Sequence, residues 1–247
     1  MKKYLLLTLT ILCSFFCQAQ DSNYFEMRQY TFHEGKLPEL ISRFENHTLK
    51  LFEKHGIENI AYLLPVDEKN GFLTFILGYP DKNSRDKNWN AFVNDPEWQK
   101  VYKESEANGP LVEKVDQTFM SIAPELSPNG FNMTSNGQRV FELRTYTMYP
   151  GRVENINARF RDHTRTLFEK HGMTNIVYWY TEEKDGQQSK LVYLLAHQNE
   201  AAGKASFSKF GQDPEWISVR DTSESDGKIV EKVESVYFNP LPFSPLK

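Results

Sequence analysis

Leu51-Phe52-Glu53-Lys54-His55-Gly56 returns unchanged as Leu167-Phe168-Glu169-Lys170-His171-Gly172, 116 residues further along the chain. Working outward from it, Phe25 to Tyr62 aligns without a gap on Phe141 to Tyr178, and 19 of the 38 paired positions are identical. Beyond that block the offset becomes 118: Asp95-Pro96-Glu97-Trp98 returns as Asp213-Pro214-Glu215-Trp216, and Val112-Glu113-Lys114-Val115 as Val230-Glu231-Lys232-Val233. The two extra residues fall between Tyr180 and Leu191, in a polar stretch with the character of a hairpin loop. Collinear blocks separated by one small insertion mean duplication.

Each copy reads the same way. Phe25–Phe32 alternates as a strand. Residues 36–55 carry Leu37, Leu40, Ile41, Phe44, Thr48, Leu51 and Phe52 at the spacing of one helix face. Gly56 ends that helix as a left-handed cap, with Ile57 as its hydrophobic partner. Ile60–Leu64 and Phe72–Tyr79 read as strands around a turn at Asp67–Gly71, a helical region follows over Asp86–Glu106, and Leu111–Ile122 is a last strand. The order βαββαβ is a ferredoxin-like split unit. Four strands with helices on one side leave the other sheet face bare, and two copies in one chain can cover each other. The expected product is an α+β barrel closed within one polypeptide.

The expected organisation is a signal peptide at 1–19, a first repeat at 20–123, a linker at 124–139 rich in Pro, Gly, Ser and Asn, and a second repeat at 140–247. Met1-Lys2-Lys3 is a short positive region, Tyr4 to Phe16 is uncharged and largely apolar, and Cys17-Gln18-Ala19 has a cleavage signature. The apolar stretch is short for a membrane span. The sequence therefore points to a periplasmic or extracellular protein with no membrane span once processed. Cleavage there also removes Cys13 and Cys17, so the mature chain has no disulfide and no thiolate chemistry. It keeps 27 basic against 33 acidic side chains, a net of −6 with no basic run, which disfavours nucleic acid as a partner. The 18 Phe, 12 Tyr and 4 Trp of the full chain suit a β-rich core better than a carbohydrate-binding surface.

The strand Phe25-Glu26-Met27-Arg28-Gln29-Tyr30-Thr31, the helix end Lys54-His55-Gly56 and the element Asp95-Pro96-Glu97-Trp98 together resemble the NIPSNAP domain, and both copies carry the set. The resemblance implies a dimeric α+β barrel, in a family without a settled enzymatic activity. Its eukaryotic relatives are associated with mitochondria and adaptor-like protein binding, a setting from which an exported tandem protein departs. The wider superfamily includes cofactor-free monooxygenases, haem enzymes and binding proteins, so the site must choose among functions.

Alternation places Phe25 and Met27 on one strand face and Glu26, Arg28 and Tyr30 on the other. With the apolar face taken to meet the helices, Glu26, Arg28 and Tyr30 face the barrel interior, as do Glu142, Arg144 and Tyr146. They form either a polar cavity for an anionic or carbonyl-bearing ligand or a self-satisfied Glu–Arg network. His47 and His163 lie three residues after Phe44 and Phe160 and four before Leu51 and Leu167, so they are expected to face at least partly inward. Each is a candidate general base or haem ligand, or simply a core or rim histidine. No metal-clamp spacing accompanies them, and neither a metal nor another cofactor is expected. His55 and His171 read as helix-dipole partners. Leu63-Leu64 becomes Trp179-Tyr180 and Tyr79 becomes His197 in the second copy, which is therefore expected to line the more polar, aromatic half of any pocket, with Trp179 and His197 in it. No dinucleotide fingerprint, phosphate loop or Gly-x-Ser-x-Gly elbow is present.

These residues point to a monomer with a pseudo-dimeric barrel, open to higher homo-oligomers, that binds a small molecule or a protein partner. The alternative is a cofactor-free oxygenase, an isomerase or a haem-using enzyme.

Overall fold

The computed structural model describes residues 22–131 and 139–247, apart from 68, 70 and 185. The expected signal peptide and residues 132–138 of the expected linker lie outside the described residues. Strands β1 (Tyr24–Phe32), β2 (Glu58–Pro65), β3 (Phe72–Tyr79) and β4 (Val112–Ile122) belong to the first copy. Strands β5 (Val140–Met148), β6 (Thr174–Thr181), β7 (Leu191–His197) and β8 (Val230–Pro240) belong to the second. They form a closed antiparallel barrel in the order β1-β3-β2-β8-β5-β7-β6-β4. The duplicated ferredoxin-like reading is thus the observed fold.

Two seams join the halves. Along one, Leu63, Leu64 and Pro65 of β2 pair with Pro240, Asn239 and Phe238 of β8. Along the other, Met120, Ser121 and Ile122 of β4 pair with Thr181, Tyr180 and Trp179 of β6. Each seam is short, and the chain segment following the last strand of each copy lengthens it. Ser244 Oγ accepts from the Tyr62 N–H at 3.0 Å, and Leu241 N–H donates to Tyr62 O at 2.9 Å. Ser127 Oγ accepts likewise from the Tyr178 N–H at 2.8 Å, and Ala123 N–H donates to Tyr178 O. Strand edges that would stand open are covered reciprocally.

Closing the barrel changes which side of each strand is drier. Phe25, Met27, Phe141, Leu143, Trp179, Val192 and Phe238 meet inside the barrel in one cluster built from both copies. Tyr62, Leu73, Phe75 and Leu77 instead meet the first helices, through Leu40, Phe44, Leu51 and Phe52. The expectation for the first strand was therefore inverted. Glu26, Arg28 and Tyr30, with Glu142, Arg144 and Tyr146, lie under the helices, while Phe25 and Met27 line the barrel. Apolar alternation identifies a core face when the other face is wet, but here both faces are covered.

The first helix of each copy is not continuous. In the first copy α1 (Leu37–Arg43) passes through a π turn at Phe44–Thr48 into α2 (Leu49–Lys54); in the second, α5 (Val153–Arg159) passes through Phe160–Thr164 into α6 (Arg165–Lys170). The wide turn holds one residue more than an α turn. It brings Thr48 and Thr164 beneath Phe44 and Phe160, where their hydroxyls donate to Arg43 O and Arg159 O. His47 and His163 are swung onto the exposed surface, contrary to the inward placement expected from α spacing.

The second helical region splits into α3 (Lys82–Val93) and α4 (Pro96–Ser105), matched by α7 (Glu200–Gln212) and α8 (Pro214–Ser223). Asp95 caps α4 by accepting from the Glu97 N–H at 2.8 Å. Its other oxygen lies 2.6 Å from His55 Nε2 and 2.7 Å from Lys54 Nζ. Gly56 has φ 71°, and Ile57 N–H reaches back to Phe52 O, the turn that aims His55 at Asp95. The two motifs that return most faithfully thus form one joint, repeated as Lys170 and His171 on Asp213. His55 and His171 bind a partner helix's cap rather than serving only their own helix ends.

Candidate functional site

Glu26 is wholly buried and is held from two sides. Arg28 donates to its Oε1, while Arg85 of α3 donates to Oε2 at 2.8 Å and to Oε1 at 3.0 Å. The Arg28 guanidinium lies 4.3 Å from the Trp89 ring, and that of Arg85 lies 4.8 Å from Phe119. In the second copy Glu142 is equally buried, but its second partner differs. Arg144 and Ser235 Oγ donate to its Oε1, and His197 Nε2 lies 2.9 Å from its Oε2. Burial pushes the Glu142 carboxyl up; the His197 hydrogen bond, the Arg144 charge and Ser235 outweigh it and hold the group below its ordinary value.

Gly203 stands where the first copy has Arg85. A Cβ there would lie 2.8 Å from Tyr237 Cε1 and 3.0 Å from His197 Cδ2 and Cγ, so an arginine and this histidine cannot share the space. The matched positions Leu63 and Trp179, and Tyr79 and His197, are all buried, and this equal burial counts against the expectation that the second copy lines the more polar, aromatic half of a pocket. Trp179 is packed between Phe25 and Phe131 inside the barrel. The expected site residues therefore separate into two ion-pair networks, one core tryptophan, two surface histidines, and Tyr30 and Tyr146 packed edge-on against Phe75 and against Phe160 and Tyr193.

The structure instead forms a pocket of about 240 Å³ between sheet and helices in the first copy. Phe44, Trp89 and Trp98 give it aromatic walls, and Tyr30, Arg43 and Glu106 supply its polar atoms. Arg43 is 5 % exposed, and its Nη1 donates to Glu106 Oε1 and to Ser105 Oγ, both at 3.2 Å. Its guanidinium lies 5.7 Å from the Trp98 ring, and its buried Nε has no hydrogen-bond partner among the described residues. A guanidinium left with a free donor beside aromatic walls suits a ligand carrying an oxygen acceptor.

Sequence reading passed over Arg43 and Glu106. The signal available was a charge inside an apolar helix face, immediately before Phe44, matched in the second copy by Arg159 before Phe160. Glu106 likewise returns as Glu224, and Arg159 Nη1 reaches Glu224 Oε1 at 3.0 Å. Among the described residues no group of three or more His, Cys, Asp or Glu is placed to hold a metal ion, and no helix is long and apolar enough to cross a membrane.

The NIPSNAP family profile matches residues 25–126 and 141–245, one match on each copy. The chain belongs to the NIPSNAP family. No curated protein matches it in sequence. Among solved structures, a candidate monooxygenase from Lactobacillus acidophilus NCFM superposes with a TM-score of 0.59 at 12% identity, over 89% of this chain and 94% of that one. An anthrone oxidase-like protein superposes with a TM-score of 0.57 at 10% identity, over 90% and 92%. These likenesses show a shared barrel fold. A NIPSNAP family protein of unknown function from Agrobacterium tumefaciens is 20% identical and covers 46% of this chain and 97% of its own, with a TM-score of 0.39. This NIPSNAP chain carries two matches to the family, one in each copy.

Proposed function

We propose that this NIPSNAP protein is exported and binds a small planar aromatic molecule bearing an oxygen acceptor, in the sheet–helix pocket of its first copy. The observation that carries the reading is the buried Arg43–Glu106 pair opening onto a wall of Phe44, Trp89 and Trp98. Aromatic faces hold a flat ligand by stacking, and Arg43 fixes its orientation through the acceptor. Binding is the function proposed; Arg28 and Arg144 lie under the helices, paired with Glu26 and Glu142, and take no part in it.

Titration with 2-naphthol, followed by tryptophan emission, tests the pocket because Trp89 and Trp98 line it. Saturable quenching is expected, and Arg43→Gln should weaken it roughly tenfold by removing a charge-assisted hydrogen bond. Linear, unsaturated quenching, or equal affinity in the variant, would overturn the site. Export is tested by fractionating cells that express the full chain. A product beginning at Gln20 outside the cytoplasm is expected, and an uncut cytoplasmic product would defeat that part.

A further inference from the structure

The two ends of the barrel interior differ. At one, Phe131 packs against Phe25 and Trp179, with both ring centroids at 5.4 Å. The other end is a cavity of about 470 Å³ lined by both copies. Met27, Leu143, Val192 and Val236 form its floor, continuous with the central core. Thr118 stands level with Met27 across the β1–β4 pair, and one pleat further out apolar side chains give way to Gln29 and Thr145.

Four charged side chains stand at the rim, and they differ in what they have to bind. Glu182 accepts from Tyr24 Oη at 3.0 Å and from Lys82 Nζ at 3.0 Å. Glu234 is paired with Lys232 at 2.7 Å. Lys184 and Lys190 have no ion-pair partner among the described residues. Both lysines belong to the β6–β7 connection, the segment that carries the two-residue insertion relative to the first copy. That connection is pinned in place: Gln188 Nε2 donates to Met148 O and Tyr149 O, both at 2.8 Å, and Gln188 Oε1 accepts from the Gly151 N–H. The connection thus places Lys184 and Lys190, without an ion-pair partner among the described residues, over an apolar well.

We infer that this end of the barrel binds a medium-chain aliphatic carboxylate, with its chain on the Met27–Leu143 floor and its carboxylate between Lys184 and Lys190. Acids already paired with Lys82 and Lys232 leave the mouth attractive to an anion, and the hydroxyl and amide groups beside the floor accompany the head group. This site is separate from the sheet–helix pocket and does not depend on it.

Calorimetric titration of the purified protein with butanoate, hexanoate, octanoate and octan-1-ol tests the inference. Affinity is expected to rise roughly fourfold per methylene as each enters the apolar floor. Octanoate should exceed octan-1-ol, and K184Q/K190Q should weaken octanoate roughly tenfold while leaving the alcohol unchanged. Thr145→Trp, which fills the mouth from its wall, should abolish octanoate binding and leave 2-naphthol quenching intact. The inference is overturned by no octanoate binding, by no gain with chain length, by equal binding of acid and alcohol, or by octanoate binding that survives Thr145→Trp. Octanoate that competes with 2-naphthol would place it in the other pocket and overturn it as well.

Discussion

The two copies satisfy the same buried carboxylate in different ways. In the first, Glu26 takes a fixed cation from the helix layer, Arg85, while Tyr79 stands beside it on β3. In the second, Glu142 takes an imidazole from the strand layer, His197, while the helix position has shrunk to Gly203. One exchange required the other, because the strand histidine and a helix side chain would occupy the same volume. A buried carboxylate constrains its surroundings to supply donors, yet leaves open which element supplies them. Fold and carboxylate are thus common to both halves, while the second donor is a guanidinium in one and an imidazole in the other.

The largest effect follows from removing the carboxylate. Glu26→Gln leaves Arg28 and Arg85 buried without their counter-charge and should cost about 3–5 kcal/mol in urea denaturation. Glu142→Gln should cost measurably less, since only one arginine, Arg144, loses its counter-charge. Equal costs would break the distinction between a two-arginine and a one-arginine network.

Restoring the first copy's arginine to the second is next. Gly203→Arg forces a side chain against Tyr237 and His197, and roughly 1–3 kcal/mol of destabilisation is expected. Adding His197→Tyr, which recreates the Tyr79–Arg85 arrangement, should recover part of that loss, so the double-mutant cycle shows coupling. Strict additivity would mean that the two positions exchanged independently.

The acid limb of stability sharpens what the copies share. Asp95 and Asp213 are held well below the ordinary aspartate value, first by Lys54 and Lys170, then by His55 and His171 and by the backbone N–H groups of Glu97 and Glu215. A folded-state value below the unfolded one stabilises above the unfolded pKa, near ~3.9, and the benefit fades as pH falls towards the folded value. Glu142 adds to the same trend. Stability should therefore fall below about pH 4, and Asp95→Asn with Asp213→Asn should flatten that slope. An unchanged slope would mean that the helix joints are not its source.

The duplicated fold was legible because Leu51–Gly56 and Asp95–Trp98 return whole, and the structure shows the two motifs touching through Lys54, His55 and Asp95. The orientation of Glu26 and Arg28 was not legible. Strand alternation separates two faces but cannot say which is drier once a barrel closes on one and helices cover the other. The Arg43 pocket was hidden for a related reason, since a charge within an apolar helix stripe looks like an interruption until Glu106 is brought opposite it. His47 was misplaced by one residue of turn: regular α spacing cannot anticipate the π turn at Phe44–Thr48, which appears only when Leu49 N–H reaches back to Phe44 O.

That turn sets the smallest and most discriminating comparison, between neighbours on the same helix. His47 and His163 are exposed, and replacing either by alanine should change stability by no more than about 0.5 kcal/mol. Thr48 and Thr164 are buried with their hydroxyls on Arg43 O and Arg159 O, so Thr48→Val and Thr164→Val should each cost about 1 kcal/mol by orphaning a buried carbonyl. The two threonine variants should lose alike, because the π turn has the same form in both copies. In the first copy the loss should also reach ligand binding, since Thr48 and Arg43 both border the pocket. Weaker 2-naphthol binding in Thr48→Val but not in Thr164→Val would show that duplication kept the turn in both halves and the pocket's use in one.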